Sequence, residues 1–220
     1  MRSKKIKILV YGIPLLMVLA TAAVFGSLPD QIPTQWSLDG GVSYGSRMTL
    51  WWFIGLQAFL AVFLDIAPRI DPRKKHYANF AGYYDGFCLM MQLFMSAMWG
   101  IVVSESLWPG RISVSRIVLI LVGAIFLYAG NQMPKVKSNF YMGIRTPWAL
   151  SDEEVWYKTH RLGGKTTFLA GVVTIFGGLL MRQANERFLA AVVFGALLLS
   201  AGVPTVMSYL WWRQKTRREA

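Results

Sequence analysis

Charge is scarce in this 220-residue chain, and cysteine and histidine are scarcer still. Charged residues make up 15% of it and hydrophobic residues 55%, whereas an average globular domain is roughly 25% charged. A chain so short of charge does not present all of its surface to water. The single cysteine, Cys88, lies inside an apolar run, which excludes an intramolecular disulfide and a multi-cysteine metal site. His76 and His160 are the only histidines, and no H-E-x-x-H, G-x-S-x-G or phosphate-cradling P-loop occurs. These absences point to a non-enzymatic protein with no cofactor or metal. Acidic residues are also few, 11 Asp and Glu against 23 Lys and Arg. Such a balance suits nucleic acid or an anionic membrane surface. Here the cations sit between long apolar runs, so anionic lipids are the expected partners, at about 1 kcal/mol per basic residue near the surface. Direct nucleic-acid binding is not expected.

What is plentiful is long apolar sequence. Crossing the hydrocarbon takes ~20 mostly apolar residues in a helix. Six segments qualify: Ile8–Gly26, Met48–Ala67, Phe80–Val103, Ile112–Gly130, Gly163–Met181 and Phe188–Trp212. None alternates with period two, as a membrane-spanning barrel would. The expected fold is an all-α integral membrane protein of about six transmembrane helices, divided at residue 79. Residues 1–79 form a two-helix region and 80–220 a four-helix region. Pro14 and Pro204 are expected to kink the first and last helices. The first apolar run exceeds the ~7–15 residues of a signal-peptide core and reads as a retained helix. Small residues at spacing four, Ala170–Thr174–Gly178, Thr167–Gly171 and Ala191–Gly195, are candidate seams for close helix packing.

The basic residues orient the chain. With both termini in the cytoplasm, only Arg47, Arg111, Arg116, Arg182 and Arg187 of the 23 basic residues fall outside. That asymmetry is the positive-inside rule, and it favours an even number of spans. Tryptophans mark the borders: Trp51, Trp52, Trp99 and Trp108 outside, Trp148, Trp156, Trp211 and Trp212 inside.

Two loops are longer than a helix hairpin needs. In the outer one, Ser27–Arg47, Pro29 and Pro33 restrict the backbone and Gly40–Gly41 permits a tight turn. Ile32 and Trp36 are available there to press on the membrane or on other loops. The inner loop runs from Asn131 to Gly164. Ser151 and Glu154 have capping-box spacing, and Leu150 with Val155 has staple spacing. A short interfacial helix is expected from about Asp152 to Leu162, with Val155, Trp156, Thr159 and Leu162 on one stripe and Gly163–Gly164 as a hinge. Ahead of it, Pro147 should hold Thr146 extended. Arg145 brings a donor fork suited to phosphate or carboxylate, and Lys135 and Lys137 are available to hold a lipid phosphate with it. Within the spans, Asp65 and Asp85 lie toward the cytoplasmic ends, Asp85 about six residues or ~9 Å inside. A mid-membrane carboxylate costs ~2.5–3.5 kcal/mol and needs a partner or a task; Arg145 and His160 are the expected partners. Gln57 and Gln92 should make interhelical hydrogen bonds.

The inner loop resembles the signature of the SdpI family of bacterial membrane immunity proteins. The residues that carry the likeness are Asn131, Pro134, Lys135, Asn139, Gly143, Ile144, Arg145, Thr146, Pro147 and Trp148, then Trp156, Thr159, His160 and Gly163–Gly164. The outer loop, with Pro29, Ile32, Pro33 and Trp36, is similar to the family's N-terminal domain of unknown function, DUF1648, although Gln35 stands where many members carry histidine. The resemblance implies a multi-pass protein of the bacterial plasma membrane. It implies protection against a secreted toxin peptide of the SdpC type, and in the best-known case capture of an SdpR-like repressor. The alternative is a small transporter or exporter using Asp65, Asp85 and Arg145.

Overall fold

A computed structural model describes residues 4–37, 41–180 and 186–219. Helix α1 (Lys4–Val24) leads into a two-stranded antiparallel hairpin, β1 (Gln31–Trp36) and β2 (Val42–Ser46). Then follow α2 (Thr49–Ile70), α3 (Ala81–Leu107), α4 (Val114–Gln132), the short α5 (Pro147–Ser151), α6 (Glu153–Leu180) and α7 (Glu186–Glu219). All but α5 are long and apolar enough to cross a membrane, which makes six candidate spans. The chain is a multi-pass, essentially all-α membrane protein.

Its surface is inverted relative to a water-soluble protein. Trp52 is 80% exposed and Phe59, Phe194 and Leu199 each 63%, whereas Thr21, Gln57, Gln92, Thr174 and Ser208 are fully buried. Lipid tails are as apolar as leucine, so apolar rings face outward and hydroxyls and amides are kept for helix contacts.

The chain divides into two compact parts. One comprises residues 2–66 and 85–118. There Gln57 Nε2 donates to the Gln92 carbonyl (3.2 Å) and to Ser96 Oγ (3.1 Å), and Trp99 Nε1 donates to Thr21 Oγ1 (2.8 Å). The expected interhelical bond of Gln57 is present; the side chain of Gln92 makes none among the described residues. The outer segment is a hairpin rather than a loop, with Gln31 opposite Ser46, Trp36 opposite Val42 and an irregularity between Pro33 and Gln35. Ile32 does not press on the membrane. It is 1% exposed, in a cluster with Leu28, Leu50 and Val103. Pro33 is buried beside it, Trp36 is half-buried and Pro29 is exposed. The expected Gly40–Gly41 turn falls partly outside the described residues.

The other part holds residues 67–84 and 119–220. Its seam is built on glycines seven apart. A Cβ on Gly130 would collide with the backbone of Phe168; on Gly171 it would lie 2.7 Å from the Leu127 nitrogen, and on Gly164 2.8 Å from the Gly130 carbonyl. Only glycine lets α4 and α6 come this close. Thr167, Ala170, Gly171, Thr174 and Gly178 are buried as the small-residue pattern anticipates, but Gly195 has nothing near its Cβ position and marks no close approach. Gly163 and Gly164 are likewise packing positions rather than a hinge. Helix α6 runs unbroken through them, so the expected interfacial helix is the first turns of a 28-residue span.

Candidate functional site

The inner segment between α4 and α6 folds into a compact polar knot. A single turn, Met133–Lys135, ends α4, and the chain then runs without regular structure to α5. With no ladder to satisfy its backbone, the segment takes hydrogen bonds from side chains. Asn139 is fully buried and supplies three of them: Oδ1 accepts from the Tyr141 and Met142 N–H groups (2.9 and 2.6 Å), and Nδ2 donates to the Lys137 carbonyl (2.9 Å).

The second support comes from just beyond α2. Asp71 is 1% exposed; Oδ2 accepts from Tyr77 Oη and the Phe140 N–H, each at 2.9 Å, and Oδ1 from the Arg73 N–H at 2.7 Å. Tyr77 Oη also lies 3.3 Å from Asn139 Oδ1, tying the two hubs together. Arg73 stretches over the ring of Phe140 at 5.3 Å, donating to Ser138 Oγ and to the Leu150 carbonyl (2.7 Å). The three donors satisfy the buried Asp71 carboxyl, which would be costly to bury without them.

The third support is the first two turns of α6. Trp156 is 3% exposed and donates from Nε1 to the Val136 carbonyl (2.9 Å). His160 stacks on it, with ring centroids 3.8 Å apart. His160 Nδ1 is 2.9 Å from the Trp156 carbonyl, and the Ile144 N–H points at Nε2 from 3.2 Å. A carbonyl only accepts and an amide N–H only donates, so the ring is neutral with its proton on Nδ1. Gly143 crosses the ring edge at φ +95°, a backbone that favours glycine, and a Cβ there would run into Nε2. Trp156 is thus packed inside the protein rather than exposed on its surface. Thr159 is fully buried, its hydroxyl without a partner among the described residues.

The start of α6 departs from the expected capping box. Asp152, not Ser151, is the N-cap: its Oδ1 accepts from the N–H groups of Glu154 (2.8 Å) and Val155 (3.0 Å), while Ser151 Oγ donates back to Trp148. Asp152 Oδ2 meets Lys215 Nζ at 2.6 Å, and that ammonium holds the Asp152 carboxyl below its ordinary range. Thr146 is extended, at φ −71° and ψ 152°, and caps α5 by accepting from the Ala149 N–H, as the following proline requires. Its hydroxyl also meets Ser208 Oγ at 2.9 Å, and Trp148 packs on Tyr209 at 5.1 Å.

The knot therefore assembles Asn139, Gly143, Thr146, Trp148, Trp156 and His160 from the anticipated set. Asn131, Lys135, Arg145 and Pro147 stay at its surface and Pro134 is half-buried. Arg145 donates to the Phe140 carbonyl at 2.5 Å, and Lys135 lies over the Tyr83 ring at 4.7 Å. Neither Arg145 nor His160 is held in reserve for an intramembrane carboxylate. Asp65 instead faces Lys7 at 3.8 Å, and Asp85 is 8% exposed with interactions of its own. Asp71, Arg73, His76, Tyr77 and Ser138 were not singled out from the sequence. The only cue was a lone aspartate beside a proline in an otherwise cationic stretch.

Comparison with known proteins matches both segments. Residues 135–208 match the model of the SdpI/YfhL protein family, and residues 12–58 that of the domain of unknown function DUF1648. The immunity protein SdpI of Bacillus subtilis (strain 168) is 22% identical over 203 residues, covering 90% of this chain and 92% of the relative. No solved structure gives a significant match.

Proposed function

We infer that this chain, a multi-pass membrane protein of the SdpI/YfhL type, is an immunity protein that protects its cell against a secreted toxin peptide of the SdpC type. The observation that carries this reading is the likeness to an immunity protein along nearly the whole chain. The geometry of the knot supports it. Apart from the Thr159 hydroxyl, its buried Asp71, Tyr77, Ser138, Asn139, Trp156 and His160 side chains are hydrogen-bonded within it, which suits a rigid binding surface. Arg145, Lys137 and Phe140 are left on its exterior. The N-terminus and C-terminus are assigned to the cytoplasm with the knot, which makes the hairpin the surface open to a secreted peptide. Capture of an SdpR-like repressor by the knot is the finer part of the proposal. It requires toxin to favour one of two helix arrangements over the other.

Transport is the weaker reading, because the Lys7 contact gives Asp65 a structural partner. The test is a challenge of toxin-sensitive cells expressing the chain, with membrane insertion verified. Survival is expected; killing at the rate of empty-vector cells overturns the assignment.

A further inference from the structure

Against the knot, which supplies part of its wall, is a cleft of about 380 Å³ lined by His76, Asn79, Lys135, Lys137, Glu153 and Tyr157 among others. Its walls come from the start of the α3 span, the end of the α4 span and the start of the α6 span. A cleft formed where three spans end lies at the depth of lipid headgroups. Its volume falls at the lower end of the ~300–1,000 Å³ typical of small-ligand sites.

The lining has two polarities. Lys137 makes no ion pair or hydrogen bond through its ammonium among the described residues, and Lys135 has only the Tyr83 ring and a 3.4 Å contact to Gln132. Both are exposed donors. Opposite in sign is Glu153, also exposed and without a partner among the described residues, although its neighbours Asp152 and Glu154 are both paired with lysines. His76 commits Nδ1 to the Ser138 carbonyl at 2.7 Å. Its Nε2 has no protein partner among the described residues and is an acceptor in the neutral ring. A purely cationic cleft would fit any anion. One with free lysines and a free carboxylate fits a zwitterion.

We propose that this cleft is a binding site for a phosphodiester that carries a primary amine, with Lys135 and Lys137 on the phosphate and Glu153 on the ammonium. Two sources share that chemistry, an ethanolamine phospholipid of the membrane and free glycerophosphoethanolamine. The position at the span ends assigns the lipid. The proposal does not depend on the immunity reading.

The test is native mass spectrometry of the purified full-length protein in micelles, offered equimolar phosphatidylethanolamine, phosphatidylglycerol and phosphatidylcholine. Preferential retention of the ethanolamine lipid is expected. About tenfold weaker retention is expected in Lys137→Gln, the size of one charge-assisted contact. Glu153→Gln should remove the preference over phosphatidylglycerol. Lys74→Gln, an equal charge change outside the cleft, should alter neither. Glycerophosphoethanolamine added in excess should displace little lipid; displacement at stoichiometric amounts would assign the soluble source and overturn the lipid. Equal retention of all three lipids, or equal loss in Lys74→Gln and Lys137→Gln, would overturn the site.

Discussion

Gly143 and His160 are interlocked: at φ +95° the glycine brings its backbone against the imidazole edge, where any Cβ would overlap Nε2. The ring cannot retreat, because Trp156 stacks on its face and the Trp156 carbonyl holds Nδ1. Gly143→Ala should therefore strain the backbone by ~1 kcal/mol and expel the ring besides. The expected outcome is faster trypsin cleavage at Lys135, Lys137 and Arg145 with membrane insertion unchanged. Cleavage at the wild-type rate would show that the segment tolerates the side chain.

Asp71 holds a segment almost 70 residues further along the chain, through the Phe140 N–H. Asp71→Ala removes one acceptor group, takes the bond from the part-buried Arg73 and Phe140 N–H groups and leaves Tyr77 only its longer contact to Asn139, at up to ~1–3 kcal/mol for each N–H left unsatisfied. Tyr77→Phe loses only a hydroxyl and should cost ~1 kcal/mol. Thermal melts in detergent should rank wild type above Tyr77→Phe and Tyr77→Phe above Asp71→Ala. An unshifted melting temperature for Asp71→Ala would mean that the knot does not depend on the carboxylate.

The contact between Asp152 and Lys215 gives a pH dependence with a defined sign. Lys215 lowers the pKa of Asp152 on folding, so its contribution is complete above the unfolded carboxylate value, about 3.9. It is lost as pH falls through the lower folded value. The pair is partly exposed, so the effect should be small and weakened further by salt. Carboxypeptidase release from the end of α7 should rise below about pH 4 in wild type. In Lys215→Met it should already be raised at neutral pH, and Asp152→Asn, which keeps the cap but not the charge, should match it. A pH-independent release in wild type would dismiss the pair.

The seam between α4 and α6 predicts a contrast among glycines. Gly171→Leu must push a side chain into the Leu127 backbone, 2.7 Å from where its Cβ would sit. Overpacking of that kind costs ~1–3 kcal/mol. Gly195→Ala meets nothing within 4 Å and should be neutral. Melting temperatures that fall together in both variants would refute the seam.

Much of the architecture was readable from residue order, because bilayer thickness imposes a long apolar signature that no water-soluble helix needs. The inner signature was also visible as an unusual polar string. What it does locally was only partly visible. Pro147 setting Thr146 extended is a rule between adjacent residues, and it held. Gly163–Gly164 looked like a hinge because the groups packed on them, Met133 and Ile144 on Gly163 and Gly130 and Pro134 on Gly164, are distant in sequence. The supports of Asp71 and Arg73 were hidden for the same reason: their hydrogen bonds span 69 and 77 positions. The hairpin went unread because a proline within a run argues against a strand, yet Pro33 sits paired opposite Tyr44, and because the alternation is short.

Arg145 decides between a knot that presents a binding surface and one that only packs. Its side chain is exposed, with a contact to the Phe140 carbonyl as its hydrogen bond to the knot, so Arg145→Ala should leave folding and insertion intact. The most direct measurement is survival of toxin-sensitive cells expressing wild type or Arg145→Ala at matched membrane abundance, challenged with an SdpC-type peptide. Protection by wild type and killing of the variant is the predicted result. Equal protection by both would remove the knot surface from the mechanism, and no protection by wild type would contradict the immunity assignment itself.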